Sequence, residues 1–84
     1  MFYVYIIQNE LEKLYTGSTN DLRDRLKSHN TGRVFSTKGH KWKLVYYEAY
    51  RNEQDARERE KRLKQYGQAM AQLKRRIKQS LIKS

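Results

Sequence analysis

The run Tyr3-Val4-Tyr5-Ile6-Ile7 constrains this chain most, because β-branched and aromatic residues in unbroken succession favour an extended strand covered on both faces. Tyr3, Tyr5 and Ile7 would share one face, with Val4 and Ile6 on the other. A polar turn through Gln8, Asn9 and Glu10 leads to a second run, Lys13 to Gly17, so the two read as a hairpin. Gly17 ends that strand where a side chain would obstruct a close approach. A helix from about Asp21 to Asn30 follows, with Asn20 as its cap, Leu22 and Leu26 as its apolar stripe, and Gly32 just past its end. Arg25 and His29, four residues apart, lie on one face of that helix beside the stripe.

A loop from Thr31 to Lys41 carries Lys38, His40 and Lys41 without sustained periodicity, and reads equally as a plain connection or as a phosphate contact. Trp42 to Tyr50 then alternates Leu44, Tyr46, Glu48 and Tyr50 against Val45, Tyr47 and Ala49, the pattern of a third strand. Glu48 is read there as a structural carboxylate. A densely charged helix starts at Asn52 and runs to about Tyr66; its apolar residues are Ala56 and Leu63. Glu60 lies roughly 40° from Ala56 around that helix and close to the direction of Leu63. A carboxylate on an inward stripe requires a partner or a metal, because an unpaired buried charge is costly. Gly67 breaks the helix, and Gln68 to about Ile82 places Ala69, Met70, Leu73, Ile77 and Leu81 on one face. Lys74, Arg75, Arg76 and Lys78 fall on the opposite face.

Composition decides which functions fit. At 84 residues the chain is one domain (1–84), which buries only about 60% of its unfolded surface. It has no cysteine, which excludes a disulfide framework and a thiolate metal site, and a cytoplasmic location is the expectation. No apolar run approaches the roughly 18 residues of a membrane span, and Met1-Phe2 opens directly into a strand pattern, so no membrane partner and no cleaved leader are expected. Nineteen Lys and Arg against nine Asp and Glu give a net charge of +10, which points to a polyanion, nucleic acid first. Lys38 and Lys41 in the loop and Lys74, Arg75, Arg76 and Lys78 on the last helix are the candidate backbone contacts. There is no phosphate-cradling glycine loop, zinc-type cluster, Ser-His-Asp set or internal repeat.

Taken in order, Tyr-x-Tyr, Tyr-x-Gly, Arg-x-x-x-His and a late helical glutamate resemble the GIY-YIG nuclease domain. The specific part is Tyr15-Thr16-Gly17-Ser18-Thr19-Asn20-Asp21-Leu22, with Trp42-Lys43-Leu44-Val45-Tyr46-Tyr47-Glu48 downstream. The likeness runs from Tyr3 to about Ile77 and is greatest to the small stand-alone bacterial members. It implies an α/β (α+β) domain, a three-stranded antiparallel sheet flanked by helices, with a site at one end of the sheet. It also implies metal-dependent hydrolysis of a nucleic-acid phosphodiester, DNA before RNA. Tyr5 and Tyr15 correspond to the tyrosines of the two triplets, Arg25 to the catalytic arginine, His29 to the nearby histidine or tyrosine, and Glu60 to the ligand of Mg²⁺ or Mn²⁺. Tyr5 or Tyr15 would take the proton of the attacking water, with His29 as the alternative base. Tyr3 stands where the family has glycine, and the late asparagine of many members has no clear counterpart. The rival reading is a non-catalytic nucleic-acid binder that keeps the fold.

Overall fold

In the computed structural model, which describes residues 1–83, β1 (Phe2–Asn9) is the central strand of a three-stranded antiparallel sheet of order β2-β1-β3. Its neighbours are β2 (Leu14–Thr19) and β3 (Trp42–Tyr50). Three helices complete the fold: α1 (Leu22–Asn30), α2 (Glu53–Gln65) and α3 (Gly67–Arg76), with a 3₁₀ turn at Phe35–Thr37 between α1 and β3. The α+β class and the flanked sheet agree with the sequence reading.

The strand boundaries differ at the hairpin. β1 begins at Phe2 and extends one residue past the expected end at Gln8, to Asn9, because the buried Asn9 side chain accepts the backbone N–H groups of Leu11 (2.9 Å) and Lys13 (3.0 Å). That side chain organises a turn two residues later than expected, with Glu12 in the left-handed region at φ 64°. Register then places Tyr5 opposite Gly17 and Tyr47, and Ile7 opposite Tyr15. Against β3 the register shifts between Ile6 and Ile7, a bulge that puts Tyr46 beside Ile6 and Leu44 beside Ile7.

Helix ends follow their capping chemistry. Asp21, not Asn20, caps α1, its carboxylate accepting the Asp24 N–H at 3.0 Å. At the other end Arg33 N–H donates to the Ser28 carbonyl and Gly32 takes φ +77°, a glycine-terminated helix as expected. Asn52 caps α2 through the Gln54 N–H (2.8 Å). The break between α2 and α3 falls at Tyr66, and Gly67 is already the first residue of α3. α3 stops at Arg76 rather than near Ile82, since Ile82 N–H donates to Gln8 Oε1 (2.6 Å) and Gln8 Nε2 donates to the Ile82 carbonyl (3.1 Å). This pair draws the chain back to β1, and Lys78 lies beyond the helix.

The alternation in β1 separates two cores. Val4 and Ile6 pack with Ala56, Leu63 and Leu73 beneath α2 and α3. Tyr5 and Ile7 pack with Trp42, Tyr15, Leu22 and Leu26 beneath α1. Asn30 locks α1 to β3, its side chain donating to the Trp42 carbonyl (2.9 Å) and accepting the Trp42 N–H (2.7 Å). Among the described residues no helix is long and apolar enough to cross a membrane.

Candidate active site

The α1 side of the sheet is built around one approach, that of the Tyr5 ring to Gly17. A Cβ at position 17 would lie within 2.6 Å of Tyr5 Cζ, so a residue with any side chain would displace the ring. The cleared space lets Tyr5, 3% exposed, reach under α1 to His29, and its hydroxyl sits 2.7 Å from His29 Nε2. His29 is 1% exposed, and its Nδ1 lies 2.8 Å from Thr37 Oγ1. The Thr37 hydroxyl has one hydrogen and donates it to the Val34 carbonyl (3.3 Å). On that assignment His29 Nδ1–H donates to Thr37, and Nε2 accepts from the Tyr5 hydroxyl.

Burial pushes the Tyr5 hydroxyl well above the ordinary tyrosine value; Tyr15 adds to this and the Arg25 charge partly offsets it. Burial also holds His29 below its usual value, with Arg25 acting in the same direction. Both groups are therefore neutral at pH 7. Tyr15 is half-buried at the rim, its ring edge-on to His29 with centroids 5.0 Å apart and to Trp42 at 6.3 Å.

Glu60 reaches the opposite rim of β2 from α2. Its Oε1 accepts the Ser18 hydroxyl at 2.6 Å and its Oε2 meets Lys64 Nζ at 2.7 Å. Burial pushes the Glu60 carboxyl up, but the Lys64 and Ser18 bonds together bring it below the ordinary carboxylate range. The partners that an inward carboxylate requires are thus Lys64 and Ser18. Lys64 Nζ also lies 5.7 Å from the centroid of the Tyr15 ring, which places Glu60's partner beside the phenol. Glu48 is the structural carboxylate read from the sequence: Arg59 grips it with Nε (3.0 Å) and Nη2 (3.0 Å), and the Tyr46 and Tyr50 hydroxyls donate to it.

Arg25 is exposed and, among the described residues, in no ion pair. It lines a polar cleft of about 240 Å³ with Ser18, Thr19 and Asn20 on one side and the Glu53–Arg57 ion pair and Ala56 of α2 on the other, at the end of the sheet where β2 meets α1. Ser18 therefore joins the cleft to Glu60, and the charge of Arg25 is felt at both Tyr5 and His29. The six predicted backbone contacts are less united. Lys38 is exposed in the loop after α1 and Lys41 is exposed at the hairpin end of the sheet, where its N–H donates to Glu10, whereas Lys74, Arg75 and Arg76 are exposed on α3, beneath the other face.

Sequence reasoning did not name Ser18, Thr37 or Lys64 as site residues. Lys64 had a signal, the Glu60-to-Lys64 spacing of four on one helix. Ser18 and Thr37 had none, since their partners lie 42 and 8 residues away through the fold.

The profile of the GIY-YIG catalytic domain matches residues 1–74. A UPF0213 protein of Clostridium perfringens is 47% identical over 62 residues, covering 71% of this chain and 67% of that protein. UPF0213 proteins of Oceanobacillus iheyensis (38% over 65 residues, 75% of this chain and 76% of the relative) and Streptococcus agalactiae serotype V (39% over 70 residues, 75% and 74%) are also similar. No solved structure gives a comparable match. The matched segment runs from β1 almost to the end of α3, and within it Gly17 makes room for the Tyr5 ring, so the chain belongs to the GIY-YIG family.

Proposed function

We propose that this protein binds nucleic acid across the α1 side of the sheet. The observation that carries this is electrostatic: from Arg25 to Tyr47 the chain has six lysines and arginines against one carboxylate that reaches them from elsewhere, Glu10 at His40 and Lys41 N–H, and Arg25 lines the cleft and is, among the described residues, in no ion pair. Such a surface neutralises phosphates and releases their counterions.

A second reading, hydrolysis of the bound phosphodiester, is favoured by the Tyr5-His29-Thr37 chain. Water attacking a phosphate would give its proton to the Tyr5 oxygen while Tyr5 passes its own to His29 Nε2, with Nδ1–H resting on Thr37. His29, 1% exposed, would act only through Tyr5, which at 3% exposed would itself have to be uncovered before water could reach its oxygen. Arg25 opposes imidazolium formation in the free protein. A phosphate held on Arg25 would cancel that charge and make the relay easier. Tyr15 at the rim is the other phenol placed to receive the proton. Arg25 would also offset charge developing on the phosphoryl oxygens, a task suited to its planar fork.

Among the described residues no group of three His, Cys, Asp or Glu is placed to cage a metal. Glu60 nonetheless fits an ion of the Mg²⁺ type, which keeps most of its waters and needs only one or two carboxylates with substrate phosphate. Lys64, about half-exposed, would first have to leave Oε2. When bound, such an ion polarises a phosphoryl oxygen and stabilises the leaving oxygen. Because Glu60 is already satisfied by Ser18 and Lys64, binding is the better supported reading and cleavage the second.

Glu60→Gln separates them, keeping shape while removing the charge. Affinity by fluorescence anisotropy should stay within about twofold of wild type for DNA, since phosphate contacts dominate binding. If wild type nicks DNA in Mg²⁺ or Mn²⁺, the variant should lose that activity by on the order of 10²-fold or more. Wild type inert in both ions leaves binding alone, and absence of affinity at about 50 mM salt overturns the proposal.

A further inference from the structure

Phe35 is 92% exposed, the most exposed of the large hydrophobic side chains. Its backbone is nevertheless fixed. Two residues on, Thr37 is fully buried: its hydroxyl lies 2.8 Å from His29 Nδ1, its carbonyl accepts Trp42 Nε1–H at 2.9 Å, and its N–H donates to the Val34 carbonyl at 3.1 Å. Residues two apart on a 3₁₀ turn, with three residues per turn, point in widely different directions, so the contact that buries Thr37 turns Phe35 outward. Two residues of chain span at most about 7 Å, which keeps the ring close to the His29 site.

A side chain so placed gains nothing for the fold, and its ordering has already been secured by Thr37. What it would stack on is limited by its surroundings. Arg33, two residues before it, and Lys38, three residues after it, are exposed, and both belong to the segment that has no carboxylate between Asp24 and Glu48. An apolar ring between cations suits a ligand that offers a flat π-face on a phosphate backbone. A base in a duplex is stacked on its neighbours and cannot offer that face, whereas an unpaired base can.

We propose that Phe35 is a stacking platform for an unpaired base, so that the preferred ligand of the α1 side is nucleic acid with a single-stranded segment. Arg33 and Lys38 hold the flanking phosphates. The inference rests on the nucleic-acid-binding reading above and names its substrate class.

The test compares wild type, Phe35→Ala and Phe35→Trp, using fluorescence anisotropy with a single-stranded oligonucleotide, a blunt duplex, and that duplex carrying a single-stranded overhang. Because the ring makes so little contact with the fold, circular dichroism should show all three proteins equally folded. Phe35→Ala should lower affinity for the single strand and the overhang by about 5- to 100-fold, the range expected for loss of one base–aromatic stack, and leave the blunt duplex within about twofold. Phe35→Trp should restore affinity, and its indole fluorescence should be quenched by the single strand and not by the duplex. Equal loss on all three ligands, or no loss on any, overturns the platform and leaves nucleic-acid binding standing. No binding by wild type to any of the three overturns both. Phe35-dependent binding to vesicles rich in anionic lipid, with Phe35-independent binding to DNA, assigns the ring to a membrane surface and overturns the platform.

Discussion

Alternate residues of β1 enter two environments of opposite character. On the α2 and α3 side, Val4 and Ile6 meet Ala56, Leu63 and Leu73, an aliphatic core held by close packing. On the α1 side, Tyr5 and Ile7 meet Trp42, Tyr15 and the His29 imidazole, and hydrogen bonds to Tyr5, Thr37 and Trp42 thread the packing. The first core accepts an apolar exchange that conserves volume, because dispersion has no direction. The second does not, since each buried polar atom must keep its partner, and among the described residues no buried side-chain nitrogen or oxygen lacks one. A small domain can thus keep close aliphatic packing on one face of a strand and gather buried polar side chains on the other.

The largest effect expected from breaking this division is on cleavage, where wild type shows it. Tyr5→Phe keeps the ring beside Gly17 but removes the hydroxyl that donates to His29 Nε2, and should slow nicking by about 10²- to 10⁴-fold. The unfolding free energy should fall by only about 1–3 kcal/mol, the cost of leaving one buried acceptor unsatisfied. Single-turnover nicking and urea unfolding on the same preparation check both numbers. A Tyr5→Phe protein that nicks at the wild-type rate would mean that the α1 side carries no relay.

The complementary substitution lies on the other face. Leu63→Ala opens a cavity in the aliphatic core and should cost about 2–5 kcal/mol of stability while leaving DNA affinity per folded molecule unchanged. Urea denaturation gives the first quantity and anisotropy the second. Loss of affinity in proportion to loss of stability would show that the two faces are coupled and that the division drawn here is too sharp.

How much of this was legible in the sequence follows the same division. Val4, Ile6, Ala56, Leu63 and Leu73 announce themselves through alternation and helical periodicity, since an aliphatic core is a sum of local patterns. Tyr5, Gly17 and His29 meet because strand, turn and helix are short and leave little freedom between them, while Arg25, one turn earlier on α1, faces the cleft by Thr19 and Asn20. The links between them are another matter. Thr37 sits in a loop with no periodicity, and its burial depends on His29 and Trp42 arriving from different elements. Arg59 was submerged in a helix rich in charge, although it is the residue that pairs with Glu48. The end of α3 was misplaced for the same reason, because Gln8, 74 residues away, takes the backbone of Ile82.

The smallest effect, and the one that sharpens the comparison most, is in the pH dependence of stability. His29 is packed against Tyr5, Tyr15 and Thr37 and feels Arg25 as its charged neighbour, and burial holds its pKa below the ordinary 6.5. The unfolded chain therefore binds a proton near pH 6.5 that the folded protein resists. Stability contributed by neutral His29 is complete above 6.5 and declines as pH falls below it, by at most one proton, or about 1.4 kcal/mol per pH unit. The carboxylates of the α2 side move in a lower window. Glu48, despite burial, is held below 4.5 by Arg59, Tyr46 and Tyr50, and Glu60, despite burial, by Lys64 and Ser18. Their contribution is complete above about 4.5 and lost as pH falls through the folded values, with exposed Glu10 joining them through its bonds to Lys41 N–H and His40. Thermal melts from pH 8 to 3 should then show two limbs. His29→Gln, which cannot titrate, should flatten the limb between about pH 6.5 and 5, while Glu48→Gln should flatten only the one below about 4.5. If His29→Gln keeps the upper limb intact, the imidazole is not the group that titrates there, and the α1 side would owe its acid sensitivity to some other contact.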